Sequence, residues 1–105
     1  AIDPAVEENG CMWFIPREKF EVEPHHAAIP GAALSCELTT KNAVCVPLDP
    51  GGATFHDGFT PHFSKGNTTK FHRRALILNF RPKAMIDYER SEGIDHQGKR
   101  KVRNN

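Results

Sequence analysis

Four side chains within residues 50–80 have types and a spacing that could perform chemistry. His56 and His62 flank an Asp-Gly turn, and the adjacent pair Arg73 and Arg74 opens an apolar run further along the chain. Imidazole nitrogen is a ligand for iron, zinc, copper or nickel. A guanidinium binds a carboxylate through two parallel hydrogen bonds, which a lysine cannot do equally well. This stretch is therefore the candidate for a site that holds a metal and an acidic cosubstrate.

Each of the six histidines also has a structural interpretation, because a lone histidine is more often a surface or hydrogen-bonded residue than a ligand. His72 and His96 are set aside on that ground. His25 and His26 are adjacent, so their side chains point to opposite sides of an extended chain and do not share a metal. For His56, a strand histidine bonded to a neighbour is favoured over ligation.

The composition limits the class of protein. A chain of 105 residues forms one domain at most, and 38% hydrophobic with 26% charged residues is ordinary for a globular protein. A net charge of +1 gives no reason to expect a nucleic-acid partner. No apolar run approaches the roughly 20 residues that span a bilayer, and no secretory signal is visible. Cys11, Cys36 and Cys45 are odd in number and lack a CxxC pair, which favours reduced thiols in a cytoplasmic protein.

Short apolar segments between Gly, Pro and Asn turns predict an all-β fold, either a barrel or a jelly roll. An Asn-Gly turn at Asn9 is expected to make segment 1–6 the hairpin neighbour of a strand at 11–15. Residues 73–80 alternate as in a strand with both faces largely covered. Other strands are predicted at 34–40, 43–48, 53–56 and 60–63.

The remaining segments are predicted to be less regular. Residues 17–33 carry charges, prolines and a glycine, which indicates a long surface loop. Residues 85–90 are expected to form a short helical turn. The segment 91–105 has few apolar residues and several basic ones, which predicts a mobile tail and not a nucleic-acid-binding arm.

Two segments resemble the phytanoyl-CoA dioxygenase family. AIDPAVEENGCMWFIP, with its Asn-Gly turn, Trp13 and Pro16, is similar to that family's strand-turn-strand. VPLDPGGATFHDGFTPHFSKGNTTKFHRRALILNFRP, with its spacing of His, Asn and Arg, is similar to the family's C-terminal motif. The resemblance implies a non-haem Fe(II) and 2-oxoglutarate-dependent oxygenase on a double-stranded β-helix, a cupin-like jelly roll. Residues 1–82 are expected to be the C-terminal part of that domain, present incompletely, and 83–105 an extension.

The resemblance also implies roles for individual residues. His62 matches the family's distal iron-ligand histidine, and Arg73 matches the arginine that binds the far carboxylate of 2-oxoglutarate. Asn67 falls at the family's loop asparagine, whereas His56 and Arg74 take structural positions. Two histidines and one carboxylate hold such an iron on one face, and the other two family ligands lie in a His-x-Asp motif. This sequence contains no His-x-Asp or His-x-Glu triplet.

We therefore expect the C-terminal part of a dioxygenase that hydroxylates a small organic substrate and is inactive alone. One alternative is a small cupin-like domain in which His62, with His56 or with a histidine of a partner subunit, holds a metal without oxygenase turnover. Another is a purely structural domain with no metal. An incomplete jelly roll exposes sheet edges and apolar faces. The sequence accordingly predicts a homo-oligomer, with a dimer as the simplest form, and neither a nucleic-acid nor a membrane partner.

Overall fold

The computed structural model describes residues 1–17, 24–27 and 34–93 of the chain. The strands form a three-stranded antiparallel sheet in the order β4-β1-β5 and a two-stranded antiparallel ribbon of β2 and β3. The regular structure of the described part is thus mostly small antiparallel sheet, together with one helix, as in an all-β-leaning fold. Its regular elements are β1 (Met12–Phe14), β2 (His26–Ala27), β3 (Leu34–Ser35), β4 (Val44–Val46), β5 (His62–Ser64) and α1 (Lys83–Ser91).

β1 is the central strand of the larger sheet, and its apolar run accounts for that position. Trp13 lies opposite Cys45 of β4 on one side and Phe63 of β5 on the other. The rings of Trp13 and Phe63 stack, with centroids 6.1 Å apart. Pro47 directly follows β4, which lies at the edge of the sheet. A proline is tolerated there because its missing N–H removes no hydrogen bond from the ladder. The predictions for β1, β4 and this proline are confirmed.

The larger sheet has two distinct faces because successive side chains of a strand point to opposite sides. Phe14 and His62 lie opposite each other in the register and share one face, which we call the histidine face. The other side carries Trp13, Phe63 and Cys45, and we call it the tryptophan face.

The predicted turn at Asn9 and Gly10 is present and is held from inside. The buried Asn9 side chain accepts a hydrogen bond from the N–H of Val6 at 2.8 Å and donates one to the carbonyl of Pro4 at 2.8 Å. The N–H of Cys11 closes the turn by donating to the carbonyl of Val6 at 2.9 Å. Gly10 adopts a φ of +88°, a left-handed conformation that favours glycine.

The segment before this turn does not pair with β1, so the predicted hairpin is wrong. Ala5 instead forms an isolated antiparallel bridge with Leu48, with N–H to O distances of 2.8 and 2.9 Å in the two directions. The N–H of Ile2 donates to the carbonyl of Arg74 at 2.9 Å. The reason is that β1 already pairs with β4 and β5 along both of its edges.

Two predicted strands, 53–56 and 73–80, do not form within the described part of the chain. In the second of these, Leu76, Ile77 and Phe80 are 72%, 80% and 83% exposed, so the prediction of covered faces is wrong as well. An alternating sequence becomes a strand only where a neighbouring strand accepts its hydrogen bonds. No described strand lies beside this run.

α1 is longer than the short turn expected from the sequence, and it spans nine residues. Ion pairs join Arg81 to Glu89 at 2.5 Å and Lys83 to Asp87 within one turn of the helix. Within the described ranges, α1 packs against none of the strands. No helix found there is long and apolar enough to cross a membrane.

Some predictions concern segments that lie wholly or partly outside the described residues. Most of the loop expected at 17–33 lies outside the described residues, although His26 belongs to β2. The greater part of the predicted basic tail, 94–105, also lies outside them. The division of the chain at residue 82 stays a prediction.

Gly10 gives a direct test of this packing. A Cβ built on Gly10 would lie 2.7 Å from the carbonyl oxygen of Gly66, in addition to the strain of the positive φ. We expect Gly10→Ala to lower the free energy of unfolding by about 2 to 4 kcal/mol, measured by urea denaturation. Gly51 is the matched control because its φ is +84° but its Cβ would meet nothing within 4 Å. Gly51→Ala should cost only about 1 kcal/mol, and equal losses in the two variants would contradict the close contact.

Candidate functional site

His62 stands at the start of β5, and the backbone before it sets the state of its ring. Its Nδ1 lies 2.9 Å from the carbonyl oxygen of Thr60. Because a carbonyl only accepts, Nδ1 is the nitrogen that donates, and in the neutral ring the lone pair lies on Nε2. Metal-binding histidines commonly have their second nitrogen fixed in this manner. The exposed His62 side chain is therefore in the tautomer that can bind a cation through Nε2.

His56 lies beside His62, although the sequence placed it in a strand that does not form. The Asp57 carboxylate holds the turn between them, because its Oδ1 accepts from the N–H of Phe59 and the hydroxyl of Thr60, both at 2.9 Å. The two imidazole rings are 4.6 Å apart between centroids. The turn thus brings the two histidines together even though the strand predicted at 53–56 is not formed.

Phe14 forms the floor beneath both imidazoles. Its ring centroid is 5.1 Å from that of His56, in an edge-on arrangement, and 6.0 Å from that of His62. Two open grooves flank Phe14 on the histidine face. The larger, of about 560 Å³, is lined by Phe14, Val46, Thr54, Phe55, His56, Asp57 and Thr60. The smaller, of about 230 Å³, is lined by Phe14, Ile15, Pro16, Arg17, Val44, Asp57, Phe59 and Thr60.

The loop that follows β5 is organised by Asn67. Its Oδ1 accepts hydrogen bonds from the backbone N–H and the hydroxyl of Thr69, both at 2.8 Å. Its Nδ2 donates to the carbonyl of Phe71 at 2.6 Å. One amide side chain thus bonds both ends of the turn, which explains why an asparagine suits this position.

The same loop packs against the turn at Asn9 and Gly10. The N–H and hydroxyl of Thr68 both donate to the carbonyl of Glu8, at 3.0 and 2.9 Å. The hydroxyl of Ser64 donates to the carbonyl of Gly10 at 2.8 Å. The two segments that resemble the dioxygenase family therefore contact each other directly, which sequence spacing alone does not predict.

The loop leads to two arginines that have different surroundings. Arg74 binds Asp3 bidentately, with Nε to Oδ2 at 2.9 Å and Nη2 to Oδ1 at 2.8 Å. Its backbone N–H also donates to Asp3 Oδ2 at 2.8 Å. The side-chain hydrogen bonds from Arg74, followed by the backbone one, hold the pKa of Asp3 well below its usual range. Arg74 therefore anchors the N-terminal segment to the end of the loop.

Arg73 is half-buried and makes no ion pair with the described residues. Arg74, in contrast, has both guanidinium contacts to Asp3 described above. Arg73 does not line either of the two grooves on the histidine face. The roles assigned to Arg73 and His62 from the family resemblance stay predictions.

The described residues fit one position of an iron centre and not a whole one. No group of three or more His, Cys, Asp or Glu side chains among them is placed to hold a metal ion. His62 presents its Nε2, for which no hydrogen bond to a described residue is found, and His56 places a second imidazole 4.6 Å away between ring centroids. A facial triad needs another histidine and a carboxylate.

One cluster was missed from the sequence. The thiols of Cys11 and Cys45 are in contact, with their sulfur atoms 3.1 Å apart. Their separation of 34 residues has no recognisable spacing, so only the pairing of β1 with β4 could have pointed to it. Cys11 is fully buried, as expected for a core residue, whereas Cys45 is half-buried.

The sequence profile described as phytanoyl-CoA dioxygenase matches residues 1–75. The chain belongs to the phytanoyl-CoA dioxygenase family.

A curated relative agrees with this assignment. A methylphosphonate hydroxylase from Gimesia maris is 35% identical over 80 residues, which cover 76% of this chain and 30% of the relative. The chain therefore spans less than a third of the length of that relative. No solved structure matches the chain significantly.

The bidentate pair of Asp3 and Arg74 predicts a specific pH dependence. Because the pKa of Asp3 is depressed in the folded state, the stabilisation is fully present above the ordinary value of about 4 and is lost progressively as the pH falls from there through the depressed value. We expect Asp3→Asn to lower the urea midpoint at pH 6 and to have a smaller effect at pH 2.5, where part of the stabilisation is already lost. Asp49→Asn, which removes an exposed acid without such a partner, is the control. A loss for Asp3→Asn that is the same at both pH values would contradict the ion pair.

Proposed function

We propose that this chain is the C-terminal part of an Fe(II) and 2-oxoglutarate-dependent dioxygenase that hydroxylates a small organic substrate. The observation that carries the proposal is that a loop organised by Asn67 separates His62, whose ring is oriented by the Thr60 carbonyl, from the half-buried Arg73, which forms no ion pair with a described residue. Membership of the phytanoyl-CoA dioxygenase family supports it.

His62 would contribute Nε2 as one ligand of the iron. The carbonyl of Thr60 would keep the ring oriented and Nδ1 protonated, so that the metal-binding nitrogen stays a lone-pair donor. The bound iron would couple the oxidative decarboxylation of 2-oxoglutarate to hydroxylation of a C–H bond. Phe14 beneath the ring would exclude water from one side of the metal.

Arg73 would bind the carboxylate of 2-oxoglutarate that lies far from the metal. A guanidinium suits this role because its fork makes two charge-assisted hydrogen bonds to one carboxylate. The neighbouring Asp3 does not compete for Arg73, since it is already occupied by Arg74. Of the two adjacent arginines, Arg74 would thus have a structural role and Arg73 would bind the cosubstrate.

The remaining parts of the site would come from residues outside the described part. A histidine and a carboxylate are needed to complete the iron centre, and so are strands that turn this sheet into a double-stranded β-helix. The exposed run at 75–80 supports this proposal, because its alternating apolar residues are those of a strand that lacks a partner. Alone, the chain would bind iron weakly and be inactive.

Methylphosphonate is the first substrate to test, since a methylphosphonate hydroxylase is the similar protein. The open groove beside His56 would be one wall of the substrate pocket. The free thiols of Cys11, Cys36 and Cys45 support a reducing compartment such as the cytoplasm.

A second candidate function is a cupin-like metal site that lacks oxygenase activity. The 4.6 Å between the ring centroids of His56 and His62 favours it, because two neighbouring imidazoles can hold a transition metal together. In that case His56 would be a ligand, whereas in the dioxygenase it would only pack against Phe14.

A chimera distinguishes the two functions. The 80 residues of this chain that match the methylphosphonate hydroxylase replace their counterparts in that protein, and iron binding, succinate and hydroxylated methylphosphonate are measured. We expect His62→Ala to abolish all three, and Arg73→Lys to raise the KM for 2-oxoglutarate roughly 10- to 100-fold, the equivalent of a charged hydrogen bond. His72→Ala and Lys70→Ala are the matched controls from the same exposed loop.

Each outcome has a consequence. Succinate that is unchanged in His62→Ala would eliminate the iron role of this residue, and succinate from the chain alone would contradict its inactivity. Metal binding by the chain alone that is lost in His56→Ala as well as in His62→Ala, without succinate, would favour the cupin-like site.

We further propose that a second copy covers the exposed run at 75–80 when the chain folds as given. Leu76, Ile77, Leu78 and Phe80 are 64% to 83% exposed, and contiguous apolar patches of this kind mark interfaces. Pairing of two such runs would satisfy their backbone groups and bury their side chains together.

Light scattering after size-exclusion chromatography tests the dimer. We expect twice the mass of the chain for the unmodified protein and a monomer for Ile77→Lys, because a lysine ammonium in the interface has no partner. Phe55→Lys changes an equally exposed apolar residue outside the run and should remain dimeric. A monomeric unmodified chain at high concentration would contradict the second copy.

A further inference from the structure

The contact between Cys11 and Cys45 lies on the tryptophan face of the sheet. Cys11 precedes β1 and is completely buried, and Cys45 occupies the middle of β4 opposite Trp13. Their sulfur atoms are 3.1 Å apart. We propose that Cys11 and Cys45 are a redox-active dithiol that a small disulfide, such as oxidised glutathione, converts into a reversible intrachain disulfide.

The backbone already brings the two thiols to one place. Cys11 is two positions before Trp13, so alternation puts it on the same face as Cys45. A disulfide bond is about 2.05 Å long, so the two sulfur atoms need to approach by only about 1 Å. Rotation of the side chains can supply this movement while the ladder between β1 and β4 stays intact.

The difference in exposure sets the order of the steps. Cys45 is half-buried and can meet a small disulfide, whereas Cys11 has no exposed surface. Burial, together with the neighbouring thiol of Cys45, raises the pKa of Cys11 to about 11. Cys11 is therefore the resolving thiol and not the first nucleophile.

The chemistry balances as two thiol–disulfide exchanges. The Cys45 thiolate attacks one sulfur of oxidised glutathione, forms a mixed disulfide and expels one glutathione thiolate. Cys11 loses its proton and attacks the Cys45 sulfur, which breaks the mixed disulfide and expels the second glutathione thiolate. The two glutathione thiolates take up the protons released by Cys11 and Cys45. The protein dithiol has lost two electrons, and oxidised glutathione has gained them.

The link would act on the sheet without touching the candidate iron site. It would join the start of β1 to β4 across a separation of 34 residues. His62 lies on the opposite face, so the disulfide does not block it. The expected consequence is a more stable sheet beneath Phe14 under oxidising conditions, because a cross-link restricts the unfolded chain. This inference does not depend on the proposed dioxygenase function.

The sequence provides a clean assay, since trypsin separates all three cysteines. Cys11 falls in peptide 1–17, Cys36 in 20–41 and Cys45 in 42–65. The chain is treated with oxidised glutathione, its free thiols are blocked with a maleimide, and a non-reduced digest is analysed by mass spectrometry. We expect peptides 1–17 and 42–65 to be linked, peptide 20–41 to carry the maleimide, and dithiothreitol to reverse the link.

Serine variants test the order of the steps. Cys11→Ser should accumulate a glutathione adduct on Cys45, because no resolving thiol remains. Cys45→Ser should leave Cys11 unmodified, and Cys36→Ser should form the link as the unmodified chain does. Oxidation should raise the urea midpoint of the unmodified chain and of Cys36→Ser, but not that of Cys11→Ser.

Several results would overturn the proposal. A link between peptide 20–41 and either other peptide in the folded chain would show that the contact does not select the pair. Three maleimide-labelled cysteines after treatment would show that the thiols do not react, provided that the same treatment oxidises the chain unfolded in urea. A glutathione adduct on Cys45 that persists in the unmodified chain would show that Cys11 cannot resolve it.

Discussion

The packing of the Asn9 turn against the loop after β5 is the contact on which the rest of this structure depends. Gly10 lies so close to Gly66 that only a hydrogen side chain fits, and Ser64 and Thr68 bond to carbonyls of the same turn. The acceptors of these hydrogen bonds are backbone carbonyls of the turn, whereas the donors include the hydroxyls of Ser64 and Thr68. This contact brings the first ten residues and the candidate site into one unit.

The two ends of the loop after β5 have different surroundings. On the β5 side, the backbone carbonyl of Thr60 sets the tautomer of His62. On the other side, Asp3 of the N-terminal segment takes Arg74 and leaves Arg73 without an ion pair in the described part. A carboxylate far away in the sequence thus separates two adjacent arginines that have identical chemistry.

The apolar side chains of the chain are distributed unlike those of a complete domain. Buried apolar residues in the described part are Ala5 and Cys11, while large side chains such as Leu76, Ile77 and Phe80 face solvent. Their alternation was sufficient to predict a strand, but strand formation and burial depend on a neighbour that an alternation pattern does not contain. For the same reason the Asn-Gly turn alone could not show whether residues 1–6 pair with β1. Both edges of β1 are occupied, by β4 and β5.

The sequence by itself determined the local features: the Asn9 turn, the apolar strand β1, the end of β4 before Pro47, and the family-like spacing of His62 and Arg73. These depend on residues close together, whose backbone preferences and side-chain types suffice. Only the tertiary structure decided that Ala5 pairs with Leu48, that Arg74 and not Arg73 meets Asp3, and that Cys11 touches Cys45. Those contacts join segments dozens of residues apart, and their partners are selected by strand order and register, which no short pattern specifies.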